Sequence, residues 1–289
     1  MLGANAITIR RAEPKDAAEC GRICFEAFRE ISTKHNFPPD FPNAGVPGGL
    51  LAAMFAHPGF YCAVAEAAGK IVGSNCLDER NVIAGVGPIT IDPQTQNSGV
   101  GTTLMKAVMD RAAEKRFAGV RLVQSAFHNR SLSLYAKLGF AVREPLAVMQ
   151  GARLKITIEG CHVRRAQLAD AKECARVCCG VHGHDRSGEL RDAIGRGEAL
   201  VAERSGGITG YSTGLAFFGH SVGESNLELQ ALIASAEMFA GPGILVPTRN
   251  ASLFRWCLEQ GLRVVQPMNL MSMGLYNEPA GGYLPSILY

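Results

Sequence analysis

The stretch Ile89-Thr90-Ile91-Asp92-Pro93-Gln94-Thr95-Gln96-Asn97-Ser98-Gly99-Val100-Gly101-Thr102 carries a β-rich run through a turn into a helix. Gly99 and Gly101 have no side chain to block close approach, so a run of backbone N–H groups can face outward there. The helix dipole adds a partial positive charge, and the turn suits a pyrophosphate. A P-loop would need Lys followed by Ser or Thr after the second glycine, where Thr102-Thr103 stand, and a dinucleotide fingerprint would need glycine at Leu104. On this pattern alone a phosphate site and a plain tight turn both stay open. In the helix that follows, Gly99 to about Lys115, Val100, Leu104, Val108 and Ala112 recur at the spacing of a buried face.

Working outward, the periodicity predicts a strand Ile7–Arg10, a helix from about Pro14 to Glu30, and a hairpin of Tyr61–Glu66 and Ile71–Leu77 turning at Gly69. A third apolar run, Ile83–Ile91, leads into the glycine turn. Strand Gly119–Gln124, helix Ser131–Leu138 and strand Ala141–Met149 follow. The order β, α, β, β, β, α, β, α, β describes a mixed α/β fold with a largely antiparallel sheet.

The same text occurs twice. Arg10, Arg11, Ala12, Asp16, Ala17, Glu19, Cys20, Arg22 and Cys24 recur as Arg164, Arg165, Ala166, Asp170, Ala171, Glu173, Cys174, Arg176 and Cys178 at a shift of 154. The shift falls to 137 at Val64-Ala65-Glu66, Gly69, Ile71 and Gly73, which match Val201-Ala202-Glu203, Gly206, Ile208 and Gly210. It falls to 121 at Asn129, Ser131 and Leu132, which match Asn250, Ser252 and Leu253. The second half is therefore the first with deletions of 17 and 16 residues, the former inside Phe25–Val64 and the latter between Gly73 and Asn129. Residues 151–160 lack periodicity and mark a join, giving domains 1–155 and 156–289.

Gln96-x-x-Gly99-x-Gly101, after a strand and Asp92-Pro93, resembles the acetyl-CoA signature of the GNAT superfamily. Asn129-Arg-Ser-Leu-Ser-Leu-Tyr135-Ala-Lys-Leu-Gly139-Phe140, beginning 28 residues beyond Gly101, resembles the second motif of that superfamily. The resemblance spans roughly residues 5–150, and the repeat extends it to the remainder, implying two tandem GNAT-like domains, each a mostly antiparallel sheet flanked by helices. It implies an acetyl-CoA-dependent N-acetyltransferase. The edge of Ile89, Thr90 and Ile91 would pair with the pantetheine arm of CoA, and the amides of Gln96, Asn97, Ser98, Gly99, Val100, Gly101 and Thr102 would hold the pyrophosphate. Asn129 would bind the cofactor arm, or cap the helix it precedes, or both. Tyr135 would protonate the departing thiolate as general acid, its other reading being a packed aromatic.

No carboxylate stands in Val82–Gly87, where many GNAT enzymes keep a base; Asp78, Glu79 and His128 are the nearby alternatives. The second half is expected not to bind CoA in the same way: Gly223-Glu224-Ser225-Asn226 faces Gln96–Gly101, a carboxylate at a helix start repels pyrophosphate, and Trp256 stands for Tyr135. The Pro- and Gly-rich Ser32–Gly49 is expected to be a stiff lid loop absent from the second half. Cys174, Cys178, Cys179, His182 and His184 have metal-like spacing, but Cys20 and Cys24 repeat it without histidines, so no metal is expected. The apolar tail Tyr283–Tyr289 after Gly281-Gly282 is expected to dock, either as a last edge strand of the second sheet or in a groove between the domains.

A net charge of +3 without Lys/Arg runs excludes a nucleic-acid footprint, and no stretch approaches the roughly 20 apolar residues of a membrane span. The first residues do not read as a signal peptide, and nine cysteines without one imply reduced thiols, so a cytoplasmic monomer or homodimer is expected. The acceptor would be an amine of a small molecule or peptide, attacking directly in a ternary complex. The competing expectation is a non-catalytic CoA-binding or sensing module whose second domain recruits a partner.

Overall fold

A computed structural model describes residues 7–96 and 98–289. Asn97, one of the residues expected at the phosphate turn, lies outside the described residues. The chain divides into two compact units, residues up to 79 with 83–120, and 80–82 with 121–289.

In the first unit, β1 (Thr8–Arg11), β2 (Phe60–Ala67), β3 (Lys70–Asp78) and β4 (Ile83–Val86) form an antiparallel meander, and β5 (Thr90–Ile91) also pairs with β3. The predicted run Ile83–Ile91 is thus broken in two at Gly87 and Pro88, where proline has no N–H to give the ladder. The β2–β3 hairpin turns at Ala68 and Gly69, both at positive φ (50° and 74°), as a two-residue turn matching the strand twist requires. Helix α3 (Val100–Glu114) lays Val100 and Leu104 on Ala63, Ala65 and Val72 of the sheet.

Helix α1 (Ala17–Lys34) is followed by a second helix, α2 (Gly45–Ala56), so of the expected loop Ser32–Gly49 residues 35–44 are irregular and 45–49 are helical. The glycines explain the error. A Cβ on Gly21 would lie 2.4 Å from Gly48 Cα, so α1 and α2 cross at backbone contact, and that packing outweighs the poor helix propensity of Gly and Pro. Nor does the second half lose this element. Its α5 (Ala171–His182) and α6 (Ser187–Gly195) are shorter versions of the pair, so the deletion trims both helices and the loop between them.

The second unit adds β6 (Gly119–Ser125), α4 (Asn129–Lys137), β7 (Ala141–Gln150), β8 (His162–Arg165), β9 (Leu200–Arg204), β10 (Gly207–Ser212), β11 (Ser221–Gly223), α7 (Asn226–Ser235), β12 (Ile244–Pro247), α8 (Ala251–Glu259), β13 (Arg263–Gly274) and β14 (Gly282–Leu284). One run of strands is ordered β6-β13-β7-β12, and a separate sheet is ordered β14-β11-β10-β9-β8. The two halves have exchanged their long strands: β13, from the second repeat, lies beside β6, and β7, from the first, pairs with β12. Ala147 and Met149 of β7 consequently sit in one apolar cluster with Leu229, Leu232, Val246 and Leu253. This exchange draws residues 121–150 into the second compact unit although the repeat joins at 151–160.

The repeat is visible in the ion pairs. Arg10 binds Asp16 at 2.6 Å and Glu66 at 2.8 Å, and Arg164 binds Asp170 and Glu203, both at 2.7 Å. Arg22 reaches Glu19 and Asp92, while Arg176 reaches Glu173 and Glu224. Among the described residues no helix is long and apolar enough to cross a membrane.

Candidate active site

The glycine turn is shaped by the strand that enters it. β5 is held on β3 by the register Gly73↔Ile91 and Ser74↔Thr90, and the Asp92 N–H donates to Val72 O at 2.9 Å. Among the described residues no strand pairs with the other edge of β5, so its backbone groups are available to an extended ligand. The Asp92 carboxylate then accepts from the Gln94 N–H at 2.9 Å, and Thr95 N–H closes the turn on Asp92 O at 2.8 Å.

Gly99 sits at φ +87°, a left-handed conformation that L side chains rarely adopt, and a Cβ there would meet nothing within 4 Å. The residue serves its backbone angle while leaving the space above it open. Ser98, Gly99 and Thr102 are exposed, whereas Val100 is buried. No side chain among the described residues caps α3, and its first turn contains no acid. The amides of the first turn have no acceptor within the helix, so a helix-end positive potential faces an open surface. Residues 96 and 98–102 therefore fit a diphosphate.

The other predicted residues lie on α4, in the second unit. Asn129 is the first residue of the helix and exposed, after His128. Tyr135 is buried, its ring 6.3 Å from that of Phe140, and burial pushes its hydroxyl well above the ordinary value, so it stays protonated. Of the base candidates, Glu79 is held by Arg111 at 2.6 and 3.2 Å as an ion-pair partner. Asp78 ends β3 opposite Gly85, buried. β4 itself is apolar throughout, Ile83-Ala84-Gly85-Val86.

In the second repeat the corresponding features are filled by the chain itself. Gly223 pairs with Gly210 as Ile91 pairs with Gly73, and the Glu224 N–H donates to Thr209 O as Asp92 does to Val72 O, so β11 is the counterpart of Ile89–Ile91. The edge left open at β5 is occupied at β11 by β14, with Gly223↔Gly282 and Ser221↔Leu284. The helix that follows, α7, begins at once. Ser225 Oγ accepts from the Leu227 N–H, and the Glu228 carboxylate takes the Ser225 N–H at 2.9 Å and Oγ–H at 2.6 Å. This capping box satisfies the amides that remain open at α3, at about 1 kcal/mol of helix stability. Asn250, the match of Asn129, exchanges two hydrogen bonds with Asn226 at 2.9 and 2.7 Å. Trp256, the match of Tyr135, packs partly buried against the apolar cluster of this half.

The role of β14 was only half legible. An edge strand was foreseen for the tail, but its seat follows from matching Glu224 with Asp92, a step the residue identities do not mark. Cys174 and Cys178 pack in the core with Val177 and Leu190, Cys179 is exposed, and His182 turns to His220, so cysteines and histidines of that segment part company. Among the described residues no three of His, Cys, Asp and Glu come together as a metal-binding group.

The chain resembles three solved structures along nearly its whole length. A protein of Pyrococcus horikoshii assigned as an acetyltransferase superposes with a TM-score of 0.74 at 18% identity, covering 98% of this chain and 92% of that one. A GCN5-related N-acetyltransferase from Sphaerobacter thermophilus gives 0.62 at 17%, covering 94% and 96%. A GCN5-related N-acetyltransferase from Kribbella flavida gives 0.55 at 13%, covering 94% and 72%. These likenesses establish the fold, two GNAT-like α/β halves in tandem. No curated protein matches the sequence. The model of the acetyltransferase (GNAT) family matches residues 25–140, the segment that contains β5, the glycine turn, α3 and α4.

Proposed function

We propose that the protein transfers an acetyl group from acetyl-CoA to an amine of a small molecule or peptide, by direct attack in a ternary complex. The reading is carried by one contrast: among the described residues no side chain caps α3 and no strand pairs with the outer edge of β5, while the counterpart before α7 is closed by Ser225, Glu228 and β14. The domains in this reading are the two copies of the repeat, 1–155 and 156–289, with a single cofactor site in the first.

When bound, acetyl-CoA supplies the activated thioester. The backbone of Ile89, Thr90 and Ile91 would hold its pantetheine amides as a strand holds its neighbour, and the amides of residues 96–102 would hold the diphosphate. Asn129 would donate a hydrogen bond to the cofactor arm. Tyr135 Oη, kept protonated by burial, would give its proton to the leaving sulfur. Nine free thiols agree with a cytoplasmic setting.

The apolar β4, with no carboxylate to take the amine's proton, favours a second reading, a CoA-binding module without turnover. Calorimetric titration with CoA and thioester consumption over a panel of amines decide between them. One CoA per chain with turnover on at least one amine class is expected. Tight binding without turnover selects the second reading, and two equivalent CoA sites or none refute the assignment of the turn.

A further inference from the structure

The second unit contains a buried cation that has no counter-ion among the described residues. Arg121, on β6, is 2% exposed; among the described residues no carboxylate pairs with it, and its Nε has no hydrogen-bond partner. Its Cζ lies 3.9 Å from the Tyr289 ring centroid and 5.0 Å from that of Tyr276, and its Nη2 is 3.5 Å from His184 Nε2. A second guanidinium, that of the equally buried Arg186, stands 4.2 Å from the same Tyr289 ring.

Of the nearby carboxylates, Glu189 is the counter-ion of Arg186, and Glu144 is bonded only through Oε2, its buried Oε1 having no partner among the described residues. Glu189 accepts from Arg186 and from Thr213 Oγ1 at 3.2 Å, and Glu144 accepts from Tyr283 Oη at 3.4 Å and Arg249 at 3.5 Å. Arg186 Nη1 and His220 Nδ1 are buried and unpartnered as well. The neighbouring imidazoles of His182 and His220 offer no negative charge, and burial with the repulsion of the guanidiniums keeps them from adding a positive one. Burial and Arg186 push the Arg121 guanidinium down to about 9, which still leaves it cationic at neutral pH. Buried charges are paired or coordinated in folded proteins because an isolated one is so costly.

We propose that this cluster is a binding site for a small oxyanion, a carboxylate or phosphate group, held by the guanidiniums of Arg121 and Arg186 with His220 beside them. The site is independent of the acetyl-transfer reading. The Tyr289 ring packs against both guanidiniums and its phenol is 3.0 Å from His184 Nε2, so an anion reaches them only where this ring is displaced. Nitrogen donors on planar guanidiniums suit the paired oxygens of either group.

The test compares melting temperatures in sodium chloride, sodium acetate and sodium phosphate at equal ionic strength. A saturable rise of several degrees in acetate or phosphate over chloride is expected, the more effective salt naming the group. A Gly99→Glu background removes any contribution of phosphate at the α3 turn, and the rise must persist there. Arg121→Met should abolish the rise and, by removing an uncompensated buried charge, melt higher than wild type in chloride. Equal melting in the three salts, or a rise retained by Arg121→Met, overturns the proposal. Should that variant fail to fold, the imidazole resonances of His184 and His220 in the wild-type protein serve instead: movement on adding the effective anion supports the site, and none overturns it.

Discussion

Replacing Gly99 by glutamate tests the phosphate turn. A side chain at φ +87° costs about 1–2 kcal/mol, because L residues crowd their own carbonyl there. Nothing else in the fold opposes it, since a Cβ meets no atom within 4 Å, and a carboxylate at a helix start recovers about 0.3–1 kcal/mol. The net loss is about 1 kcal/mol, roughly 2–4 °C in melting temperature for a domain of 150–250 residues, and the protein stays folded. Binding fares differently. At ~5 Å and an effective dielectric of ~20, a carboxylate repels each unit of phosphate charge by about 3 kcal/mol. Gly99 is exposed, so solvent reduces this by about half, but a diphosphate carries at least two such charges. The expected loss is therefore about 10²-fold or more in CoA affinity. Gly99→Ala carries the backbone cost without the charge or the bulk, and should lose less than about tenfold. Calorimetric titration of CoA beside a thermal melt measures both quantities. A folded Gly99→Glu protein that binds CoA like wild type would refute the reasoning.

Two other outcomes are expected. Tyr135→Phe should lower turnover by about 10²–10⁴ while leaving CoA affinity unchanged, if the hydroxyl is the acid; full activity across pH would reduce Tyr135 to packing. The buried histidines should make the fold acid-sensitive. His182 and His220 are held well below their ordinary value of 6.5, and His184 is lowered to about 4, chiefly by burial and then by Arg186 and Arg121, with Asp185 opposing at His184. The unfolded chain takes up protons below 6.5 that the native state refuses, so stability is fully present above that pH and is lost as pH falls toward 4. Urea midpoints should decline between pH 7 and pH 5, and a midpoint flat over that interval would sink the idea.

Local features were legible because local rules govern them. The hairpin turn at Ala68–Gly69, the four-residue periodicity of α3 and the glycine turn follow from side-chain alternation and backbone freedom, and the matched residues disclosed the repeat before any contact was seen. Where a distant contact competed with a local rule, the sequence misled: Gly45, Pro47, Gly48 and Gly49 read as a loop, yet they form α2 because α1 meets it at Gly21. The candidate site was legible in the same measure. Its glycines and the Tyr135 motif stand in the text, but not the lack of a side-chain cap on α3 among the described residues, which depends on what surrounds it.

What the sequence by itself determined is therefore the alphabet of elements, their duplication and the place of the phosphate turn. Only the tertiary structure decided that β7 and β13 change partners, that β14 closes the edge of β11, and that Arg121, His182 and His184 are buried around Tyr289. The physical reason is range. Helix and turn signals act over a few residues, whereas these choices join residues from tens to more than a hundred positions apart, as Gly223 meets Gly282 and Leu146 meets both Pro247 and Met268. They are settled by which apolar faces and backbone groups remain unsatisfied once the local elements have formed.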